Sequence, residues 1–244
     1  MEDNYSLDAA DFIQGEVLLI DKPLTWTSFD VVGKIRNALK PLKLKVGHAG
    51  TLDPLATGLL IVCTGKRTKT IDQIQAEEKE YTGTMILGAT TASYDLETPV
   101  NARFQTDHIT PELLQETTKQ FTGAITQYPP DHSAVKIDGE RAYEKARRGE
   151  EVQQKARLVE IKCFEITNTA LPEVHFRVVC SKGTYIRSLV YDFGKALDSG
   201  AHLGSLRRTR SGTYSIKDAW ELPRLIDAIH QQKPRFREIV RNKK

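Results

Sequence analysis

Apolar residues recur along this chain with two periods, and the switches between them mark its elements. Val17 to Ile20 is a short apolar run ended by Asp21-Lys22-Pro23, which predicts a strand. Phe29, Val32, Ile35 and Leu39 then follow helical spacing, in a helix opened by Thr27-Ser28-Phe29-Asp30 and ended by Pro41. Leu59 to Thr64 reads as a strand, Arg67 to Glu78 as a helix after Gly65, and Tyr81 to Leu87 as a strand before Gly88. Thr110-Pro111 supplies an N-cap and a proline at the first helical position, for a helix running to Phe121 and closed by Gly123.

Further on, 159–166 alternates, and Val174, Phe176, Val178 and Cys180 alternate cleanly with His175, Arg177 and Val179. Ile186, Leu189, Val190, Phe193 and Leu197 predict an amphipathic helix with Arg187 in its first turn. Gly204 to Ile216 reads as a turn and a strand, and Trp220, Leu222, Leu225, Ile226 and Ile229 as a terminal helix. Strands outnumber regular βαβ alternation, so the expected class is α+β, with a mainly antiparallel or mixed sheet flanked by helices.

Between these elements the pattern breaks. Ala89 to Pro99 is polar and turn-rich and is expected to be mobile. Tyr128-Pro129-Pro130 interrupts the chain; Ser133 to Ile137 can form a strand, Asp138-Gly139 is a hairpin-type turn, and Glu140 to Arg148 reads as a helix capped by Gly149. That helix has no long apolar stripe, so an exposed position is expected. The expected organisation is a polar extension over 1–14, one domain over 15–230 with an insertion near 128–152, and a basic tail over 231–244 that frays.

Composition narrows the class. The 244 residues are 39% hydrophobic and 27% charged, as in ordinary globular proteins. No apolar run approaches a membrane span, and the acidic N-terminus lacks the features of a signal peptide, so a cytoplasmic protein with no membrane partner is expected. Cys63, Cys163 and Cys180 are widely spaced and form no metal-ligand pattern with the six histidines, so no metal is expected. Net charge is only +3, but Lys34, Arg36, Lys40, Lys43 and Lys45 occur with no acid between them, and Arg207, Arg208 and Arg210 cluster near the other end. Each cluster suits either a phosphate backbone or a solvated basic face.

The candidate chemistry lies in Gly47-His48-Ala49-Gly50-Thr51-Leu52-Asp53-Pro54-Leu55-Ala56-Thr57-Gly58. Its glycines imply tight turns or close approach, and Pro54 pushes Asp53 toward an extended backbone. Asp53 therefore sits at the lip of a buried element, although an isolated Asp-Pro pair is more often a plain turn. Lys22 is a phosphate ligand or an ordinary surface residue. Lys182, Arg187 and the free N–H groups of a helix start form a candidate anion site, for a phosphate or for the Asp53 carboxylate.

The whole string resembles the catalytic motif of the TruB-type tRNA pseudouridine synthases. Leu19-Ile20-Asp21-Lys22-Pro23, Lys79-Glu80-Tyr81, Ser181-Lys182-Gly183-Thr184-Tyr185-Ile186-Arg187 and Leu206-Arg207-Arg208-Thr209-Arg210 are similar to that family's other motifs. The resemblance implies isomerisation of a uridine in the tRNA T loop to pseudouridine, without a cofactor. The base is flipped out, and Asp53 acts at C6 or C1′ as a nucleophile or at the sugar as a base. It also implies that Tyr81 stacks on the uracil, Arg187 pairs with Asp53, and Tyr185 and Leu206 shape the pocket. His48 would fill the vacated space, and the Lys22-Pro23 pair would buttress the loop. The helix carrying Arg147 and Arg148 becomes a thumb-like insertion gripping RNA, with Lys182 and Arg208 as further RNA contacts.

Too few residues follow Trp220 for the PUA-type domain that many bacterial members carry, which suggests a shortened form. A monomer whose partner is tRNA, with no guide RNA, is expected. The alternatives are a guide-RNA-dependent, dyskerin-like enzyme and a non-catalytic tRNA-folding chaperone.

Overall fold

The structure is a computed structural model describing residues 12, 14–131, 136–137, 139–148, 150 and 154–241. The expected extension up to Asp11, residues Ser133 to Val135, the turn residue Asp138 and the cap Gly149 fall outside the described residues. The chain divides into two compact units, one formed by the chain up to Glu77 together with Arg207 onward, the other by Glu78–Leu206.

The first unit begins with strand β1 (Val17–Lys22) and helix α1 (Ser28–Ala38). Thr27 caps α1 through a reciprocal pair of hydrogen bonds with Asp30, the capping box that the Thr-x-x-Asp spacing permits. Strand β2 (Val46–Ala49) and strand β3 (Ala56–Thr64) follow. All of β3 but one residue is buried, as its continuous apolar run requires of a strand covered on both faces. The expected helix over Arg67 to Glu78 is a 3₁₀ segment, Gly65–Thr70, followed by a short helix α2 (Ile71–Ala76).

The second unit holds β4 (Lys79–Leu87), β5 (Ala89–Thr91), β6 (Val100–Arg103), α3 (Pro111–Gln120) and β7 (Gly123–Gln127). A small hairpin, β8 (Lys136–Ile137) and β9 (Glu140–Arg141), leads into α4 (Ala142–Arg147). Strands β10 (Arg157–Ala170) and β11 (Glu173–Cys180) precede α5 (Ile186–Ala196). Strand β12 (Ala201–Ser211) starts earlier than the expected Gly204 and carries the chain from the second unit back into the first.

The first unit closes with β13 (Tyr214–Ser215), β14 (Trp220–Glu221), α6 (Leu222–Gln231) and α7 (Lys233–Arg241). The tail expected to fray is therefore helical as far as Arg241. Its Phe236 is fully buried and meets the Phe12 ring edge-on, 6.2 Å between centroids.

In the first unit the strand order is β14-β1-β3-β12, with β2 on β3 and β13 on β12; in the second it is β12-β4-β11-β10-β7. The β1–β14 pair is parallel, while β1–β3, β2–β3, β4–β11, β10–β11 and β7–β10 are antiparallel. This is the mixed α+β architecture expected. Register matters most where β3 meets β12. Gly58 has φ +98°, and a Cβ there would lie 2.3 Å from the Arg208 carbonyl oxygen. Only glycine lets the two backbones approach this closely.

Candidate active site

In the first unit, the loop between β2 and β3 carries Asp53, and its main chain is tied at successive points. The Asp53 carbonyl accepts from the Ala56 N–H at 3.1 Å, closing a turn with Pro54 at its second position. Ser28, at the start of α1, clamps Leu52 twice: its hydroxyl accepts from the Leu52 N–H at 2.9 Å and donates to the Leu52 carbonyl at 3.0 Å. The Pro54 carbonyl accepts from the Thr25 N–H at 2.9 Å and from the Lys22 ammonium at 3.4 Å. With both neighbours of Asp53 held, its half-buried carboxylate is presented by fixed backbone.

Two buried cations underlie the loop. Lys22 is 0% exposed and donates also to the carbonyls of Pro23 at 2.9 Å and Trp26 at 2.5 Å. Its three ammonium donors thus meet three carbonyls; of the readings offered for it, phosphate ligand, surface residue or buttress of the loop, these are the contacts of a buttress. Burial lowers its pKa to about 8, opposed by the nearby Asp53 carboxylate. Arg208 is 1% exposed and donates from Nε to Leu59 O at 2.7 Å and from Nη2 to Gly50 O at 3.1 Å. It joins Gly50, at the start of the loop, to Leu59 within β3, and being buried it is likewise no surface RNA contact. A cluster of arginines in the sequence shows charge but not which side of the strand each occupies. Arg207, its neighbour, holds Asp21 through two bonds of 3.0 and 2.6 Å.

His48 lies beside this framework. Its ring meets the exposed Phe29 edge-on at 5.3 Å, and its buried Nδ1 has no hydrogen-bond partner. Burial first, and Arg208 second, lower its pKa, which favours the neutral ring.

The second unit carries the other candidates. Tyr81 is buried on β4, opposite Val178 of β11. Its neighbour Glu80 points away into an ion pair with Arg177 at 2.9 Å. Arg187, the second residue of α5, is 5% exposed. Its guanidinium faces the Asp95 carboxylate at 3.6 Å and donates to the Ser93 carbonyl at 3.2 Å. Asp95 and Ser93 belong to the segment expected to be a mobile polar loop, yet both are buried. The segment satisfies its own polar groups: Thr91 donates to Asp95 O at 2.6 Å, and the Ser93 and Thr98 hydroxyls lie 2.9 Å apart.

Gln127 holds the start of α5, accepting from the Tyr185 N–H at 3.0 Å and donating to its carbonyl at 3.3 Å. The Tyr185 ring is half-buried beneath the Arg157 guanidinium, 5.5 Å from its centroid. Leu206 is also half-buried, at the end of the second unit, whereas Lys182 is exposed. Asp95, Ser93 and Gln127 escaped the sequence reading because their positions depend on partners far along the chain.

In the insertion, Arg148 pairs with Glu140 and with Glu150, each at 2.6 Å. The Arg147 side chain falls outside what is described. Among the described residues no group of histidine, cysteine and carboxylate side chains is arranged to hold a metal ion, and no helix is long and apolar enough to cross a membrane.

The first unit thus holds a half-buried carboxylate on a clamped loop, and the second an ion-paired arginine at a helix start. The family model for the TruB family pseudouridylate synthase N-terminal domain matches residues 36–186. That for the tRNA pseudouridylate synthase B C-terminal domain matches 187–241. The chain belongs to the TruB family of pseudouridylate synthases.

It is 58% identical over 217 residues to the tRNA pseudouridine synthase B of Flavobacterium johnsoniae, covering 87% of this chain and 95% of that protein. It is 54% identical over 226 residues to that of Parabacteroides distasonis, covering 91% and 96%. Among solved structures, a chain of a Cbf5-Nop10-Gar1 complex is 30% identical with a TM-score of 0.70, over 96% of this chain and 64% of that one. A chain of an H/ACA RNP bound to a substrate RNA containing 2'-deoxyuridine is 29% identical, with a TM-score of 0.68, over 91% and 56%. This chain thus spans less than two thirds of those two longer chains.

Proposed function

We propose that this chain isomerises a uridine in the T loop of tRNA to pseudouridine, with Asp53 as the reacting carboxylate. The observation that carries the reading is the Asp53 loop: its backbone is fixed at Gly50, Leu52, Pro54 and Leu59, so one carboxylate is aimed without flexibility. In this reading Asp53 attacks C6 or C1′ of the flipped nucleotide, or acts as a base at the sugar. Tyr81 stacks on the uracil, and Arg187, oriented by Asp95, supplies fixed positive charge. Tyr185 and Leu206 form pocket walls, and His48, neutral and without a partner at Nδ1, fills the space the base leaves. Lys182, Arg147 and Arg148 contact the RNA backbone. The reaction exchanges no electrons, and no cofactor is assigned.

Near-complete coverage of the bacterial relatives favours a stand-alone tRNA enzyme over a guide-dependent one. The deciding measurement is pseudouridine formed in an unmodified tRNA transcript and in an isolated T-arm stem-loop, with and without added guide RNA. The wild type should modify both without a guide. Asp53→Asn should bind the transcript yet form no pseudouridine; substantial turnover by that variant refutes the assignment of Asp53.

A further inference from the structure

Helix α1 buries one face through Val31, Val32, Ile35 and Ala38. Its other face, Phe29, Asp30, Gly33, Lys34 and Asn37, lines an open groove of about 570 Å³ together with Trp26. Packing within the protein does not account for two features of this groove. Phe29 is 62% exposed although it is the residue whose ring touches His48. Gly33 sits in the helix interior, where glycine weakens a helix relative to alanine. A Cβ at Gly33 would meet no atom within 4 Å, and its backbone is not left-handed. At Gly58 the opposing strand demands glycine; at Gly33 nothing in the fold does. The missing side chain keeps the floor of the groove low.

We infer that this groove is a subsite for an unpaired base of the RNA, stacked on Phe29 and lying over Gly33. The inference rests on the RNA-modifying reading above. The lining separates two chemistries along one helix face. At the first turn lie the aromatic rings and Asp30, whose carboxylate the Thr27 N–H and hydroxyl hold in its anionic form. That carboxylate repels phosphate and accepts from base N–H groups. One turn further stands Lys34, exposed and followed by exposed Arg36, Lys40, Lys43 and Lys45, which attract phosphate. A base at the first end and its backbone at the second match this polarity; an acidic peptide would meet Asp30 unfavourably.

The test uses the full chain and an unmodified tRNA transcript, with Kd and melting temperature measured for Phe29→Ala, Gly33→Ala and Gly33→Leu. Phe29→Ala should raise Kd about five- to 150-fold, the range that loss of one base–aromatic stack gives. Gly33→Ala should raise the melting temperature by about 2–4 °C while weakening RNA binding, and Gly33→Leu should weaken it further. A glycine kept for the fold alone would not combine higher stability with lower affinity. If the wild type forms pseudouridine and all three variants bind the transcript as tightly as it does, the subsite is wrong. If the wild type neither binds nor modifies tRNA, the reading of function fails first, and the subsite with it.

Discussion

Arg208, in the unit that holds Asp53, and Arg187, in the other, are 1% and 5% exposed, and each lies among motif residues. Their partners differ in kind. Arg208 donates to two main-chain carbonyls, Leu59 and Gly50, and its bonds fix geometry. Arg187 faces a carboxylate, Asp95, and so belongs to a buried ion pair. The first arginine ties a backbone; the second is a charge held in place by an opposite charge. Burial alone does not reveal which of these a guanidinium is for.

The largest effect expected is at the ion pair. Arg187→Ala leaves Asp95 buried without its cation and should cost about 3–5 kcal/mol in urea unfolding, with loss of pseudouridine formation. Arg187→Lys, which keeps the charge, should recover much of the stability but little activity, because a point ammonium lacks the planar fork.

At the backbone tie the order should reverse. Arg208→Met, close in length and apolar, should cost about 2–3 kcal/mol through the two carbonyls it orphans. Arg208→Lys should do no better, since one ammonium cannot span Leu59 and Gly50. If lysine rescues stability equally at both positions, the contrast between tie and ion pair is mistaken.

The smallest change, taken per pH unit, concerns Lys22. Its folded pKa lies near 8 against an ordinary 10.5, so between those values the unfolded chain keeps a proton that the folded chain has released. Stability from this group therefore rises with pH across that window, by at most about 1.4 kcal/mol per pH unit. Below about pH 8 it is charged in both states and contributes no slope. Urea unfolding at the two ends of the window should show a steeper rise for the wild type than for Lys22→Met. Equal slopes would mean that the ammonium is solvated in the folded protein.

The sequence made legible the elements whose periodicity comes from large apolar side chains, such as α1, β3, β11 and α5. Helix α7 was missed because Phe236 is its one buried residue among charged neighbours. The segment from Ala89 to Pro99 was misread for a different reason. Its burial is achieved by Ser, Thr and Asp side chains bonding to one another and to the segment's own main chain, and hydropathy counts such residues as solvated. Asp53 stood out because glycines and a proline surround it. Its supports, Ser28, Lys22 and Arg208, are distant in sequence and carry no local signature of that task.

The reach of Arg208 across 149 and 158 positions, to Leu59 and Gly50, also bears on the order of events as the chain is made. Synthesis from the N-terminus delivers the Asp53 segment first and its guanidinium tie only 149 positions after Leu59. Contacts so far apart in sequence close late in folding. A chain that stops short of Arg208 therefore carries every residue of the Asp53 motif and still lacks this tie, so the loop is completed only once Arg208 has been made.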